Sequence, residues 1–328
     1  MKTPHIKFEP KGFVTPEKAD DHAAMLANRI RKRFRHLSRR FKRQGIECFR
    51  LYDWDIKEVR AVVDWYCGHV VVAEYVRLQT SPNWLSQMAK AVAQALQIPE
   101  DRVHVRRRRT NTKEGPRYSK MSSGGKRFEV RERDLRFWVN LDDFLDTGLF
   151  SDHRDTRAII GKLAAGKDFL NLFGYTGSFT CAAAAGKAKS TVTVDRSETY
   201  LDWACDNLKL NKLWGPQHAL VQSDAGKYLE KMDREKRRFT LAFVDPPSFF
   251  QDRSKGVSFD INRDHPDLIQ KVLKVMVPGS LLFFSTNHQR FEPQMEKLPI
   301  KDLTELTLAT IPEDYRNKRV HRLWRMTV

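Results

Sequence analysis

The chain is short of cysteine and has no long apolar run. Cys48, Cys67, Cys181 and Cys205 are the four cysteines in 328 residues, and no two form a CxxC pair. That spacing supplies neither a disulfide framework nor a zinc site, so reduced thiols and no metal are expected. No apolar stretch approaches the roughly 20 residues that span a bilayer, and residues 1–20 are too polar for a secretory signal. A cytoplasmic protein with no membrane partner is expected. Acid is scarce only in the front of the chain, where residues 1–140 carry 31 Lys and Arg against 16 Asp and Glu. The remainder balances 28 cations against 25 acids, so most of the formal charge of +18 sits where it could meet a polyanion.

What is present divides into two grammars. Between Asp20 and Arg43, Met25 or Leu26, Ile30, Phe34, Leu37 and Phe41 recur at helical spacing. Arg29, Arg31, Lys32, Arg33, Arg35, Arg39, Arg40, Lys42 and Arg43 occupy the other sides without one acid among them. A solvated face is the plainer reading. Unrelieved repulsion among nine cations favours contact with phosphates instead. Strands are expected at 46–52, 60–66 and 70–77, a helix at 84–96, a second basic cluster over 102–120 that includes Arg106, Arg107, Arg108 and Arg109, and a strand or hairpin at 128–140. Residues 1–140 thus read as a smaller basic α+β module. From Asp168 strands and helices alternate five times, which in residues 141–328 implies an α/β domain with a doubly wound, mostly parallel sheet. Its ligand should lie beyond the carboxyl ends of the strands.

Three features mark that ligand. Asn171, Leu172, Phe173, Gly174, Tyr175, Thr176 and Gly177 lie where the first strand of the alternation meets a helix. The spacing is G-x-x-G, without the G-x-G-x-x-G that brings a helix N-terminus against a pyrophosphate, which weighs against a nicotinamide dinucleotide. A nucleoside with an amino-acid tail, S-adenosylmethionine, suits it. Asp195, followed by Arg196 and Ser197, ends the next strand, where a carboxylate accepts both hydroxyls of a ribose. Asp224 ends the third and could accept from an exocyclic amine, although either acid could simply cap a turn or helix. The fourth strand runs into Asp245, Pro246, Pro247, Ser248 and Phe249, a stiff loop able to hold a planar base, unless the prolines merely end the strand.

Here the chain resembles the RlmK-type family, one half of a fused enzyme that methylates 23S ribosomal RNA. The likeness is carried by residues 27–29, 45–53, 138–141, 146–154, 167–177, 194–195, 207–211 and 245–249, and so covers nearly the whole chain. It implies a class I, Rossmann-like methyltransferase fold, 7-methylguanosine in the large-subunit RNA as product, and Asp152, His153 and Arg154 closing over the methionine end of the donor. The other half of the fused enzyme, a guanine-N2 methyltransferase with its own RNA-binding module, has no counterpart here.

The chemistry of the loop agrees with that target. Methylation at carbon 5 of a pyrimidine needs a thiolate, and neither Ser248-Phe249 nor Phe284-Ser285-Thr286-Asn287 provides one. Cys181 and Cys205 fall within expected helices. Guanine N7 has a free lone pair and no proton, so alignment and charge stabilisation suffice, with Asp245 as the nearby negative charge and Phe249 as a stacking surface. Methylation of another atom, and an RNA-binding assembly protein without turnover, remain the competing readings.

Overall fold

Thr15 and Pro16 open the first helix. The Thr15 hydroxyl accepts the Lys18 amide at 3.4 Å, and Pro16 sits where its missing N–H goes unneeded, so α1 (Pro16–Arg43) begins a turn earlier than apolar spacing suggests. The computed structural model describes residues 14–76, 81–109, 124–252 and 257–328, within two units, Met1–Met121 and Ser122–Val328.

In the first unit, β1 (Cys48–Asp53), β2 (Ala61–Tyr66) and β3 (His69–Val76) form an antiparallel meander. After α2 (Trp84–Leu96), β4 (Val103–Arg109) joins β3 in parallel, giving the order β1-β2-β3-β4. The stripe Leu26, Ile30, Leu37 and Phe41 of α1 packs with Trp84, Met88 and Val92 of α2 and with Leu51, Val63 and Val72 of the sheet. The rest of the expected second basic cluster, from Thr110 through Lys120, lies outside the described residues.

The second unit opens with a hairpin, β5 (Phe128–Glu132) and β6 (Leu135–Val139), so the division falls at 121/122 and not at the expected 140/141. The hairpin belongs here because its polar edge is satisfied here. The Trp138 and Arg136 amides donate to the side chains of Asn207 and Asn211, and Glu132 receives Arg157 at 2.7 and 2.6 Å. There follow α3 (Arg154–Leu163), β7 (Asp168–Leu172), α4 (Ser178–Ala185), β8 (Ser190–Asp195), α5 (Glu198–Leu210), β9 (His218–Gln222), α6 (Ala225–Arg234) and β10 (Phe239–Val244). A second hairpin, β11 (Phe249–Asp252) and β12 (Val257–Asp260), precedes α7 (Ile261–Lys274), β13 (Met276–Thr286), β14 (Asp302–Glu305), α8 (Thr307–Thr310) and β15 (Arg322–Thr327).

The seven-stranded sheet has the order β14-β15-β13-β10-β7-β8-β9, parallel from β13 to β9, with β15 and β14 antiparallel at the far end. Successive residues of each strand serve opposite layers. Phe169, Phe243 and Phe283 pack with Ile160 and Phe179 of α3 and α4, whereas Leu170, Leu172 and Val244 pack with residues of α6 and α7. Burying each such side chain contributes on the order of 1.5–3 kcal/mol. The chain leaves β7 in one direction toward β8 and β10 lies on its other side, so the switch point lies between β7 and β10.

Helix α7 starts at Ile261, before the expected Pro266. Asp260 caps it by accepting the Asn262 amide at 2.9 Å, and Asp264 accepts the Asp260 amide at 2.8 Å. Pro266 cannot donate to the Asn262 carbonyl, which instead accepts from Gln294 Nε2 at 3.4 Å. Among the described residues no helix is long and apolar enough to cross a membrane.

Candidate active site

The carboxyl ends of β7, β8 and β10 bring together the loops that carry the expected site. After β7, Phe173 and Tyr175 take left-handed backbone angles, and Gly177 joins them at φ 71°. A Cβ on Gly177 would stand 2.6 Å from the Ala204 Cβ, and one on Gly174 2.3 Å from Thr193 Cγ2. Both glycines are therefore explained first by the close packing of this loop on β8 and α5. Asn171 lies buried behind the loop and donates to the Thr180 hydroxyl at 3.0 Å. Thr176 donates to the Gly148 carbonyl at 2.6 Å, and the Gly148 amide donates to the Tyr175 hydroxyl at 3.0 Å.

Asp195 ends β8 as expected and is nearly buried. One of its oxygens accepts the Tyr175 amide and the other the Ser197 amide, each at 2.9 Å. Burial raises its pKa above the usual carboxylate value against these bonds. A carboxylate offers about four lone-pair positions, so Asp195 keeps acceptor capacity for a vicinal diol while it fixes the loop. Ser197 caps α5, its hydroxyl accepting the Tyr200 amide at 3.4 Å, and the Arg196 guanidinium lies 4.0 Å over the ring of Phe250. Because Arg196 follows β8 and Phe250 follows β10, this contact bridges the end of β7, which lies between them. Asp224 departs from the expectation in its place on the chain. It lies two residues past β9 and caps α6, accepting the Lys227 amide at 3.2 Å.

Pro246 and Pro247 lead from β10 to the β11–β12 hairpin, which the sequence did not suggest. The Asp245 side chain is 29% exposed, and Phe249 is 46% exposed at the start of that hairpin. Ser248 donates to Asn287 Oδ1 at 2.9 Å. Phe150, another exposed aromatic, lies 5.2 Å from the Tyr175 ring, and sequence reading gave it no role.

Asp152, His153 and Arg154 enter from a short 3-10 turn ahead of α3. His153 Nε2 stands 3.9 Å from both Asp152 Oδ2 and Asp245 Oδ2, while Asp152 receives His321 Nδ1 at 3.0 Å. Burial, and then the neighbouring His321, hold the His153 pKa well below the ordinary histidine value, so the ring is neutral. Asp152, His153 and His321 have ligand-type atoms within 4.8 Å of one another. The two rings nonetheless stack at 4.1 Å and 15°. A metal ion lies in the plane of each imidazole that binds it, which two near-parallel planes do not permit at one point, so the trio reads as a polar brace. Arg154, expected over the donor, is 2% exposed and pairs with Asp314, which is fully buried. Its guanidinium anchors the segment holding His321, whereas Asp152, His153 and Asp245 lie together near the end of β10. His321 and Asp314 were missed because nothing local ties residues 160 or more positions from their partners.

Burial pushes the Cys181 thiol up to about 12. Cys67 is the exposed cysteine. Alkylation of the native protein, read by peptide mass spectrometry, should therefore mark Cys67 rapidly and leave Cys181 unmodified until unfolding. Fast labelling of Cys181 would contradict the packing of α4.

The basic residues of the first unit separate into two groups. Arg29 is tied to Asp55 and Arg33 to the Leu51 carbonyl, whereas Arg31, Lys32, Arg35, Arg39 and Arg40 are exposed on α1. Arg106 is buried, whereas Arg107 stays exposed while it reaches Glu74 and donates to the Pro82 carbonyl at 2.6 Å. The side chains of Arg108 and Arg109 lie outside the described residues.

Residues 50–300 match the family model described as S-adenosylmethionine-dependent methyltransferase. A protein of Syntrophotalea carbinolica named ribosomal RNA large subunit methyltransferase K/L is 43% identical over 93% of the chain, which spans 43% of that relative's length. The ribosomal RNA large subunit methyltransferase K of Neisseria meningitidis serogroup B is 41% identical over 97% of the chain and 89% of the relative. Thus the chain spans less than half the length of the fused relative and most of the shorter one. A methyltransferase crystallised with SAH has a TM-score of 0.73 at 22% identity, covering 92% of this chain and 82% of that one, a likeness of fold.

Proposed function

The chain belongs to the S-adenosylmethionine-dependent methyltransferase family, and from that premise we propose that it methylates N7 of a guanine in 23S ribosomal RNA. S-adenosylmethionine supplies an electrophilic methyl group on a sulfonium. The residues that would hold it are the 173–177 loop and Asp195, whose remaining lone pairs suit a ribose diol. Asp152 and His153 are the candidates nearest the methionine end. They can orient the donor without a charge change, because His153 is kept neutral.

The observation that carries the choice of atom is that the loop after β10 holds no cysteine and that the thiol of α4 is buried. Cys181 is buried with a pKa near 12, and the loop after β10 offers Ser248, engaged with Asn287. A pyrimidine carbon would need a thiolate; guanine N7 needs a line of approach. Asp245 would stabilise the positive charge arriving on the purine, and Phe249 would stack on the base. Ser248 in the position after Pro-Pro, where enzymes acting on adenine amines usually carry an aromatic, disfavours that alternative. The base must be unpaired or extruded to enter a cleft at the sheet's carboxyl end. Mass spectrometry of ribosomal-RNA nucleosides from cells with and without the gene tests the reading. Loss of 7-methylguanosine supports it, whereas loss of 5-methylcytidine alone would refute the argument from the thiols.

The exposed cations of α1 would grip phosphates, contributing affinity with little sequence information. Replacing Arg35, Arg39 and Arg40 by glutamine should lower the slope of log affinity against log salt by roughly 0.7–0.9 for each phosphate no longer neutralised. RNA titrations at several ionic strengths measure this; an unchanged slope would exclude α1 as the grip.

A further inference from the structure

The loop between β1 and β2 carries a feature that neither the sheet nor the methyl-transfer site uses. Trp54 has a left-handed backbone at φ 53°, uncommon for a residue with a bulky side chain, and its ring is nevertheless 37% exposed. Its backbone is held in place, the Trp54 amide donating to the Ala61 carbonyl at 3.1 Å and the indole N–H to the Lys57 carbonyl at 3.3 Å. Tyr75 stacks beside the indole with ring centres 6.1 Å apart at 22°, and the Arg60 guanidinium lies 4.5 Å over it. Three planar groups thus meet at the surface of a unit in which Phe41, Phe49, Tyr52 and Trp84 are buried.

The loop that carries Trp54 is tied to the basic helix, whereas Arg60 and Tyr75 are cross-strand neighbours on the sheet face away from α1. Arg29 of α1 pairs with Asp55, the residue after Trp54, and Arg33 donates to the carbonyl of Leu51. Arg29 and Arg33, one turn apart on α1, thus face this segment of chain. An exposed indole flanked by a guanidinium suits a nucleic-acid strand whose bases are unpaired, since base faces stack on aromatic or guanidinium planes. A fully paired duplex hides those faces.

We propose that Trp54, with Tyr75 and Arg60, is a stacking site for one unpaired base of the RNA, apart from the base that is methylated. It rests on the reading of this chain as an RNA methyltransferase, and it adds a requirement: the grip of the first unit distinguishes single-stranded from paired RNA. Stacking of this kind is sequence-tolerant, so no base identity is specified.

The test uses the full chain and two labelled probes of equal length, a single-stranded oligoribonucleotide and a duplex, followed by fluorescence anisotropy at fixed salt. Trp54→Ala should weaken the single strand about tenfold, leave the duplex within twofold, and leave the salt slope unchanged because no charge is lost. Trp54→Phe should restore most of the affinity. Both variants keep a side chain in the left-handed backbone position, and unchanged melting temperature and uptake of S-adenosylhomocysteine show that they fold. Equal weakening of both probes by Trp54→Ala would overturn the proposal in favour of a merely structural indole. Wild-type affinity for both would overturn it too, and leave the patch to a protein partner. Should the wild-type chain bind neither probe, the broader reading of an RNA substrate fails along with it.

Discussion

Replacing Asp314 by alanine should destabilise the second unit by about 3–5 kcal/mol, because it strands a guanidinium that is almost wholly shielded from water. The magnitude follows from burial. An exposed ion pair contributes about 0–1 kcal/mol, but Asp314 is wholly buried and Arg154 nearly so. For a unit of this size the loss corresponds to a fall of very roughly 6–20 °C in melting temperature. Arg154→Leu combined with Asp314→Leu should recover much of it, since the two changes remove the pair without leaving a lone charge. Thermal and denaturant unfolding of the three variants measure the effect; a loss below about 1 kcal/mol for Asp314→Ala would show that the pair is solvated. Donor uptake should weaken in the single variant as well, because the same C-terminal segment carries Tyr315, which shares a 2.7 Å hydrogen bond with Ser151, and His321, which braces Asp152.

Asp245→Asn should lower turnover on RNA by about 100- to 1000-fold with donor affinity changed much less. The substitution keeps the shape of the side chain and removes its charge, so it isolates the electrostatic part of the proposal. Asp245 is partly exposed at the end of β10, and the neutral His153 ring at 3.9 Å does not cancel its charge. Single-turnover methyl transfer with saturating donor distinguishes the two parameters. A variant within threefold of wild type would remove Asp245 from the chemistry and leave the Pro-Pro loop as a base holder alone.

The alternation from β7 to β13 was legible because each parallel strand is a short apolar run and each intervening helix has its own periodicity. The same local signals located α2 and the first three strands. Features that depend on distant partners were not legible. β15 is held by antiparallel pairing with β13, and β14 by pairing with β15, neither of which spacing can reveal. Arg106 and Arg107 looked like part of a charged run, yet Arg106 is buried and strand register sets Glu74 opposite Arg107. Pro266 looked like a helix start because proline is favoured in a first turn, but the Asp260 and Asp264 caps had already begun α7. Asp224 caps a helix with one of its two oxygens, and β9 ends two residues before it. In the site itself, the glycine loop and the acids at strand ends could be read locally. The His321, Asp152 and His153 brace could not, since it joins the two ends of the second unit.

One measurement bears most directly on the whole account: the purified chain is incubated with methyl-labelled S-adenosylmethionine and protein-free 23S RNA, and the digested nucleosides are resolved by mass spectrometry. The account predicts label in 7-methylguanosine. Label confined to a methylated pyrimidine or adenine, or no transfer at all under conditions in which the donor is bound, would contradict it.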